Sequence, residues 1–143
     1  MSNKYNLERF LSAQEQSFDI ALKEIKNGKK VSHWMWYIFP QIQGLGFSEI
    51  SKYYSIRNLE EAKLYLKHNV LGSRLIEISE MLLTIEGKTA NNIFGYPDDL
   101  KLKSSMTLFK YISPDNSIFH KILDKYFNKE DEYKTLEIIN KLT

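Results

Sequence analysis

The chain has 143 residues, with 20 Lys or Arg against 18 Asp or Glu, so its formal net charge is +2. It contains no Cys, which excludes disulfide scaffolds, thiolate nucleophiles and Cys-ligated metal sites. The near-neutral charge gives no electrostatic footprint for nucleic acid, and we expect no nucleic-acid partner. Hydrophobic residues make up 43% of the chain and aromatic residues 13%, which predicts a folded domain rather than disorder.

The first third of the chain is predicted to contain one long and one short helix. Apolar residues spaced three and four apart predict an amphipathic helix over residues 7–26. The Asn27–Gly28 pair that follows is typical of a helix end. Ser32 is predicted to cap a short helix over residues 33–39, which ends at Pro40.

Capping residues and turns divide the rest of the chain. A loop is predicted over residues 41–47, and Ser48 is predicted to cap a turn or two through Tyr54. Asn58 with Glu61 three positions later is a variant of the capping box. One further helix is predicted to end at Gly87, and a short turn is predicted over residues 90–94 after Thr89. Another helix is predicted to run from Pro97 to Ile112. The last two helices are predicted to start at Ser113-Pro114-Asp115 and at Asp131.

These elements predict the fold class. Alternation with period two is not sustained in any segment, and residues 53–56 are the nearest candidate for a strand. We therefore expect an all-α fold of seven or eight helices of mixed length. Without repeats or linkers, residues 1–143 are expected to form one compact helical domain.

Export and membrane insertion are not expected. The first ten residues lack the apolar segment of a signal peptide. Residues 31–48 carry no formal charge, but Pro40, Gly44 and Gly46 would break the helix that a membrane span needs. We expect a cytoplasmic protein with no membrane partner.

The first candidate site lies in the charge-free stretch over residues 32–41. Trp34 and Trp36 are two positions apart, so on a helix they point to roughly opposite sides. One ring can pack in the core while the other lines a cleft beside the uncharged donors His33 and Gln41. The alternative is an aromatic core segment with polar caps, which aromatic stripes usually are.

The second candidate site lies at the start of a predicted helix, within residues 93–109. Asp98 and Asp99 fall in its first turn, where they suit sugar hydroxyls, a cation or an acid–base role. Lys101 and neighbouring serines could hold an anion near the helix start. The alternative is a capped surface helix in which Asp99 pairs with Lys103 one turn later. Four polar residues crowded within this helix, Lys103, Ser104, Ser105 and Thr107, hint at a requirement other than helicity.

Metal chemistry is not indicated. His33, His68 and His120 are far apart and none forms a ligand pair with another. His68 is predicted to be solvated or to cap a helix. We expect no metal site and no cofactor.

Two long stretches carry a resemblance to a known family. They are His33-Trp34-Met35-Trp36-Tyr37-Ile38-Phe39-Pro40-Gln41 with Gly44-Leu45-Gly46 and Ser48, and Phe94-Gly95-Tyr96-Pro97-Asp98-Asp99-Leu100-Lys101-Leu102 with Ser104-Ser105-Met106-Thr107-Leu108-Phe109. Together they resemble the signature of the bacterial family DUF1810, and the similarity covers nearly the whole chain. The resemblance implies a compact all-helical domain and supplies no established activity.

Two further similarities bear on function. Some DUF1810 members carry the label calpastatin, but calpain-inhibitor repeats are disordered, whereas this chain has the composition of a folded domain. A distant similarity to the NADAR domains, helical proteins of ADP-ribose chemistry, lies in a Pro–Asp element near an aromatic-rich pocket. The two stretches of the family signature coincide with the two candidate sites, which favours one shared pocket.

Two functional hypotheses remain open. In the first, the protein is a ligand pocket protein or an enzyme that acts on a small polar, nucleotide- or ADP-ribose-like ligand. Its candidate catalytic residues are Asp98, Asp99 and His33, and its candidate ligand-binding residues are Trp34, Trp36, Gln41, Lys101, Ser104 and Ser105. In the second, it is a non-catalytic helical module that binds another protein or its own copy, because Trp and Tyr can anchor interfaces.

Overall fold

The helical pattern of the sequence is realised along the chain. The computed structural model describes residues 4–143, which contain nine helices and no strand. The all-α prediction is confirmed, and the short segments after Ser48 and Thr89 are full helices. The helices are α1 (Glu8–Lys26), α2 (Met35–Ile38), α3 (Glu49–Tyr53), α4 (Leu59–Lys67), α5 (Leu71–Thr84), α6 (Ala90–Phe94), α7 (Asp98–Tyr111), α8 (Ile118–Phe127) and α9 (Tyr133–Leu142).

Several predicted caps are confirmed. Ser48, Asn58 and Thr89 each accept a hydrogen bond from the backbone N–H three residues ahead. Each such cap satisfies a donor that the helix leaves unpaired and contributes about 1 kcal/mol. His68 also caps, because its Nδ1 accepts from two backbone N–H groups at the start of α5. Just beyond it the chain packs so closely that a Cβ on Gly72 would lie 1.9 Å from a carbonyl oxygen of α4.

The prediction that Ser32 caps the short helix is wrong. The N-cap position of α2 is taken by Trp34, which provides no side-chain cap. The Ser32 hydroxyl instead donates to the carboxylate of Glu24 on α1. A carboxylate is a stronger acceptor than the backbone alternatives, so this contact determines where Ser32 points.

The predicted starts of α8 and α9 are also wrong, by two to five residues. The segment 113–115 does not begin α8, because the Ser113 hydroxyl donates to a carbonyl of α7, and Ser117 provides the cap. Asp131 does not cap α9, because its carboxylate pairs with a lysine of α7 at 2.8 Å. Glu132 caps α9 in its place.

A line of buried rings joins four helices across the core. Phe10 of α1 contacts Tyr65 of α4 at 5.0 Å between ring centroids, and Tyr65 contacts Phe109 of α7 at 5.6 Å. Phe109 in turn contacts Phe119 of α8 at 5.7 Å. All four side chains are almost fully buried. Such ring pairs add about 0.5–1.5 kcal/mol each beyond the burial of their area.

A backbone bridge connects the loop after α2 to the segment after α3. Ile42 and Ile56 form one isolated parallel bridge, and both side chains are buried. The hydrogen bonds run from Gln43 N to the Ile56 carbonyl and from Ile56 N to the Gln41 carbonyl, each at 2.8 Å. The bridge therefore fixes the loop over residues 41–47 against the end of α3.

The Arg9 side chain fixes the same region from α1. Its guanidinium donates to the carbonyls of Tyr53 and Ser55 and forms a 2.9 Å ion pair with Glu61. Both charged side chains are almost completely buried. Because the pair joins α1, the end of α3 and α4, it sets the position of the wall on which the candidate site is built.

The uncharged stretch over residues 31–48 contributes only α2 and loops to the fold. Within residues 4–143, no helix has the length and apolar character needed to cross a bilayer.

Candidate ligand-binding cleft

The two sequence motifs meet at a cleft of about 300 Å³. The first motif contributes Trp36 and Gln41, and the second contributes Lys101 and Ser104. This volume is at the lower end of the range for ligand pockets, about 300–1,000 Å³, and suits a small molecule. The other lining residues come from the loop after α2, from α3 and its end, and from the starts of α7 and α9: Ile42, Gln43, Gly44, Leu45, Gly46, Ser51, Lys52, Tyr54, Ser55, Pro97, Leu100, Lys103 and Glu132.

Trp36 and Lys101 form the contact that joins the two motifs. The Lys101 ammonium lies 4.9 Å from the centroid of the Trp36 ring. The Asp98 carboxylate forms ion pairs with this ammonium at 3.6 Å and with the Lys30 ammonium at 2.9 Å. Asp98 therefore holds Lys101 over the ring and neutralises part of its charge.

Glu132 is the one carboxylate among the described residues that line the cleft. Its oxygens accept from the backbone of Lys134, from the backbone and hydroxyl of Thr135, and at 3.4 Å from the Ser104 hydroxyl. Partial burial pushes the pKa of Glu132 upward, but these hydrogen bonds outweigh it and hold the pKa below its usual value. Glu132 is thus an ionised structural cap at neutral pH.

Three lysines give the cleft a positive lining: Lys52, Lys101 and Lys103. The charge of Lys101 is paired with Asp98, and the Lys103 ammonium lies 3.6 Å from the Glu130 carboxylate. The Lys52 ammonium forms no ion pair with any residue in the described part of the chain. Lys52 therefore carries the least compensated positive charge at the cleft.

The family follows from the comparisons with known proteins. A family described as "protein of unknown function (DUF1810)" matches over residues 4–139. The chain belongs to the DUF1810 family. This match contains both motifs and every described residue that lines the cleft.

A solved structure that is similar to the chain supports the architecture. The conserved hypothetical protein Rv1873 from Mycobacterium tuberculosis is 40% identical, with a TM-score of 0.93. The similarity covers 95% of the DUF1810 chain described here and 97% of Rv1873. No curated protein matches the chain.

The two tryptophans of this DUF1810 protein have different surroundings. Trp34 is 1% exposed and packs against Phe39 and Phe94. Its indole N–H donates to the Glu24 carboxylate at 2.9 Å. Trp34 is therefore core, whereas Trp36 lines the cleft, as expected of two residues on opposite sides of a helix.

Four other predicted site residues lie outside the lining of the cleft. His33 is exposed on the protein surface, and Asp98 reaches the cleft only through Lys101. Asp99 accepts from the backbone of Leu100 and from a side-chain amide on α6. Ser105 is fully buried, and its hydroxyl bonds to no residue within 4–143.

The polar crowding on α7 has a structural explanation for three residues. Ser104 donates to the carbonyl one turn back and faces the cleft, and Lys103 pairs with Glu130 beside it. The Thr107 hydroxyl donates to the Lys103 carbonyl and accepts from the Glu132 backbone, so it joins α7 to the start of α9. The unpartnered hydroxyl of Ser105 has no such explanation.

Sequence reasoning missed the wall formed by α3 and its end. Lys52, Tyr54 and Ser55 line the cleft but belong to neither motif. A lone lysine in a five-residue helix is a common surface feature, so its pattern carries no signal. Glu132 was also missed, because the predicted cap was its neighbour. Among the described residues, no group of three His, Asp or Glu could hold a metal ion.

Proposed function

We propose that the cleft binds a small ligand with a planar ring and polar or anionic substituents, of the nucleotide or ADP-ribose kind. The observation that carries this proposal is the convergence of the two motifs, with Lys101 placed 4.9 Å from the Trp36 ring. An aromatic face beside a cation and uncharged donors suits a base or a similar heterocycle together with an anionic group.

Stacking on Trp36 requires that Lys101 give up its place over the ring. A cation over an aromatic face at an accessible site contributes about 0.5–1 kcal/mol. Stacking of a base on an aromatic side chain contributes about 1–3 kcal/mol. The exchange therefore favours the ligand, and the displaced ammonium stays close enough to pair with an anionic group of that ligand.

Polar recognition falls to Gln41, Lys101 and Ser104. The side-chain amide of Gln41 bonds to no described residue, so its donor and acceptor are available to a ligand. Ser104 keeps an acceptor site on a hydroxyl that donates to the Leu100 carbonyl. Asp98 enters the proposal as a positioning residue, because its contacts are with Lys30 and Lys101.

The groups in the cleft favour binding over acid–base catalysis by Glu132. A general base needs a pKa near the working pH and a free lone pair within reach of the substrate. Hydrogen bonds from Lys134 and Thr135 hold the pKa of Glu132 below its usual value and use its carboxylate to cap α9. The predicted catalytic candidates Asp99 and His33 lie away from the lining and receive no role here.

The proposal is tested by tryptophan fluorescence. Titration with ADP-ribose, NAD or AMP is expected to quench Trp36, while buried Trp34 contributes a constant background. Trp36→Leu should abolish the quenching, and by calorimetry it should weaken binding about tenfold or more, because the stacking contribution is lost.

Tyr111→Leu is the matched control, because it removes an exposed ring of α7 that lies outside the cleft. This variant should bind like the wild type. Absence of any response to all three ligands at millimolar concentration would overturn the proposal, as would unchanged affinity in Trp36→Leu.

Exposed aromatic side chains favour a second candidate, an interaction module. Phe47 is 85% exposed, Tyr96 78% and Tyr133 73%, and each is next in sequence to a residue that lines the cleft. Such rings can anchor an interface with a protein partner or a second copy. Light scattering over a range of concentrations tests self-association: a concentration-dependent mass that Phe47→Ser removes supports it, and a constant monomer mass rejects it.

We also propose that the chain works as one cytoplasmic domain. The family match spans residues 4–139, and the buried rings join helices from both halves of the chain. The absence of Cys suits a reducing compartment.

A further inference from the structure

A second hollow of about 200 Å³ adjoins the cleft. Gln43, Lys52 and Ser55 line both spaces and form a border that the two share. Arg9, Arg57 and Asn6 extend the hollow away from the cleft. Among the described residues no carboxylate lines it, whereas three cationic side chains do.

The cation at the back of the hollow is already committed. Arg9 donates to the carbonyls of Tyr5, Asn6, Tyr53 and Ser55 and to the Glu61 carboxylate. These contacts use all five of its N–H groups. Arg9 therefore shapes the hollow, and its charge is balanced by a buried partner.

The two cations that can serve a ligand are Lys52 and Arg57. Neither side chain forms an ion pair within residues 4–143, and both are exposed to solvent. Lys52 is on α3, and Arg57 is on the segment that follows the Ile42–Ile56 bridge. They border one hollow from different segments, which is the arrangement expected of two groups that share an anion.

The backbone beneath these cations is fixed. The bridge holds Gln43 and Ile56 together at 2.8 Å, and Arg9 holds the carbonyls on either side of Tyr54. The Arg57 backbone N–H donates to the Glu61 carboxylate at 2.8 Å. A preorganised backbone reduces the ordering cost of binding to the side chains of Lys52 and Arg57 alone.

We propose that this hollow is an anion subsite that takes the phosphate end of the ligand whose ring stacks on Trp36. The inference rests on the proposed function for the position of the ring, and it names the ligand class as a nucleoside mono- or diphosphate. Guanidinium and ammonium groups are both phosphate ligands. Lys52 lines both spaces, so it contacts the phosphate nearest the sugar, and Arg57 contacts the more distant one.

Calorimetry with four probes tests the subsite: adenosine, AMP, ADP and inorganic pyrophosphate. For the wild type, affinity should rise from adenosine to AMP to ADP, and pyrophosphate alone should bind weakly. Lys52→Met/Arg57→Met should weaken ADP binding at least tenfold and change adenosine binding less than twofold. The salt dependence of ADP affinity should also decrease in this variant, because two phosphate contacts are lost.

Two further variants make the result specific. Lys63→Met removes an exposed lysine of α4 outside both spaces and should leave all affinities unchanged. Trp36→Leu should weaken adenosine and ADP but not pyrophosphate. Circular dichroism checks the fold, and the single variants Lys52→Met and Arg57→Met carry the test if the double variant unfolds.

The outcomes separate the subsite from the proposed function. If adenosine binds and its phosphates add no affinity, or if the double variant binds ADP like the wild type, the subsite is overturned and the ring site stands. If pyrophosphate binds through Lys52 and Arg57 while adenosine does not bind, the anion hollow stands and the ring site fails. If none of the four probes binds, the subsite is overturned, and the ring site falls with it when ADP-ribose and NAD also fail to bind.

Discussion

Two hydroxyls on α7 illustrate how the same chemistry has opposite effects at neighbouring positions. Ser105 is fully buried, and its hydroxyl has no partner among the described residues. The hydroxyl of Thr107, about half a turn later, makes two hydrogen bonds: it donates to the Lys103 carbonyl and accepts from the Glu132 backbone N–H. Burying an unpaired hydroxyl lowers the free energy of unfolding by about 1–3 kcal/mol. Removing a hydrogen-bonded hydroxyl instead leaves its partners unpaired.

Substitution of the two residues should therefore change stability in opposite directions. Ser105→Ala is expected to raise the free energy of unfolding by up to about 1 kcal/mol, because the unpaired hydroxyl is removed. Thr107→Val should lower it by about 1–2 kcal/mol, because the Glu132 N–H loses its acceptor. Urea unfolding measures both variants. A marked loss of stability in Ser105→Ala would show that a buried water pairs its hydroxyl.

At the same scale, sequence reasoning could identify some site residues and not others. The spacing of Trp34 and Trp36 predicts that they face opposite sides, but it does not predict which ring is buried. Trp34 is the buried ring, and its indole N–H donates to Glu24 of α1, which lies outside the motif. Gln41 and Lys101 stand out because they belong to long motifs. Lys52 is indistinguishable in sequence from any surface lysine, and only the folded end of α3 brings it to the cleft.

Among the secondary structure elements, Arg9 and Glu61 form an almost completely buried ion pair between helices. It joins α1 to α4 and, through backbone carbonyls, to the end of α3. Burying two charges costs desolvation free energy unless their hydrogen-bonding groups are satisfied, and all five N–H groups of Arg9 are. The pair therefore stabilises the wall of the cleft and of the hollow as long as both partners are present.

Loss of one partner should be far more damaging than loss of both. Arg9→Met is expected to lower the free energy of unfolding by about 3–5 kcal/mol, because Glu61 remains buried and unpaired. Arg9→Met/Glu61→Gln should recover part of that loss, which a double-mutant cycle would measure as a coupling energy. Arg57→Met, an exposed arginine nearby, is the control and should stay within about 0.5 kcal/mol of the wild type. Strictly additive losses would contradict this account of the pair.

Helix boundaries show where local signals suffice. Ser48, Asn58 and Thr89 cap as predicted, because the donor that each one serves lies three residues ahead in the same helix. The signals fail at Ser32 and Asp131, because partners on α1 and α7 compete for their side chains. Local chemistry therefore locates the helices, and contacts between helices decide whether a given polar residue becomes the cap.

At the scale of the whole molecule, Glu24 links the folded state to pH. Its carboxylate accepts from the Val31 and Ser32 backbone, from the Ser32 hydroxyl and from the Trp34 indole. Partial burial alone would raise the pKa of Glu24, but these hydrogen bonds outweigh it and lower the pKa from 4.5 to about 2. The group thus holds the first motif against α1 while it is ionised.

The resulting pH dependence has a definite sign. Between pH 4.5 and about pH 2 the unfolded chain binds a proton at this position that the folded chain does not, so stability falls as pH falls. The stabilisation is complete above pH 4.5. Glu24→Gln should lower stability by about 1 kcal/mol at neutral pH and flatten the decline in that window. Urea midpoints measured from pH 7 to pH 2 test this, with Glu15→Gln, an exposed residue of α1, as control. An unchanged slope in Glu24→Gln would contradict it.

The bridge between Ile42 and Ile56 has a consequence for how relatives can diverge. Its two hydrogen bonds join backbone atoms only, so exchange of the side chains at Gln41, Gln43 or Arg57 leaves them intact. The side chains that line the cleft and the hollow on this wall are thereby separated from the backbone contacts that hold it. Under the proposed function, substitutions of the exposed side chains on this wall should therefore change ligand preference with little change in the free energy of unfolding.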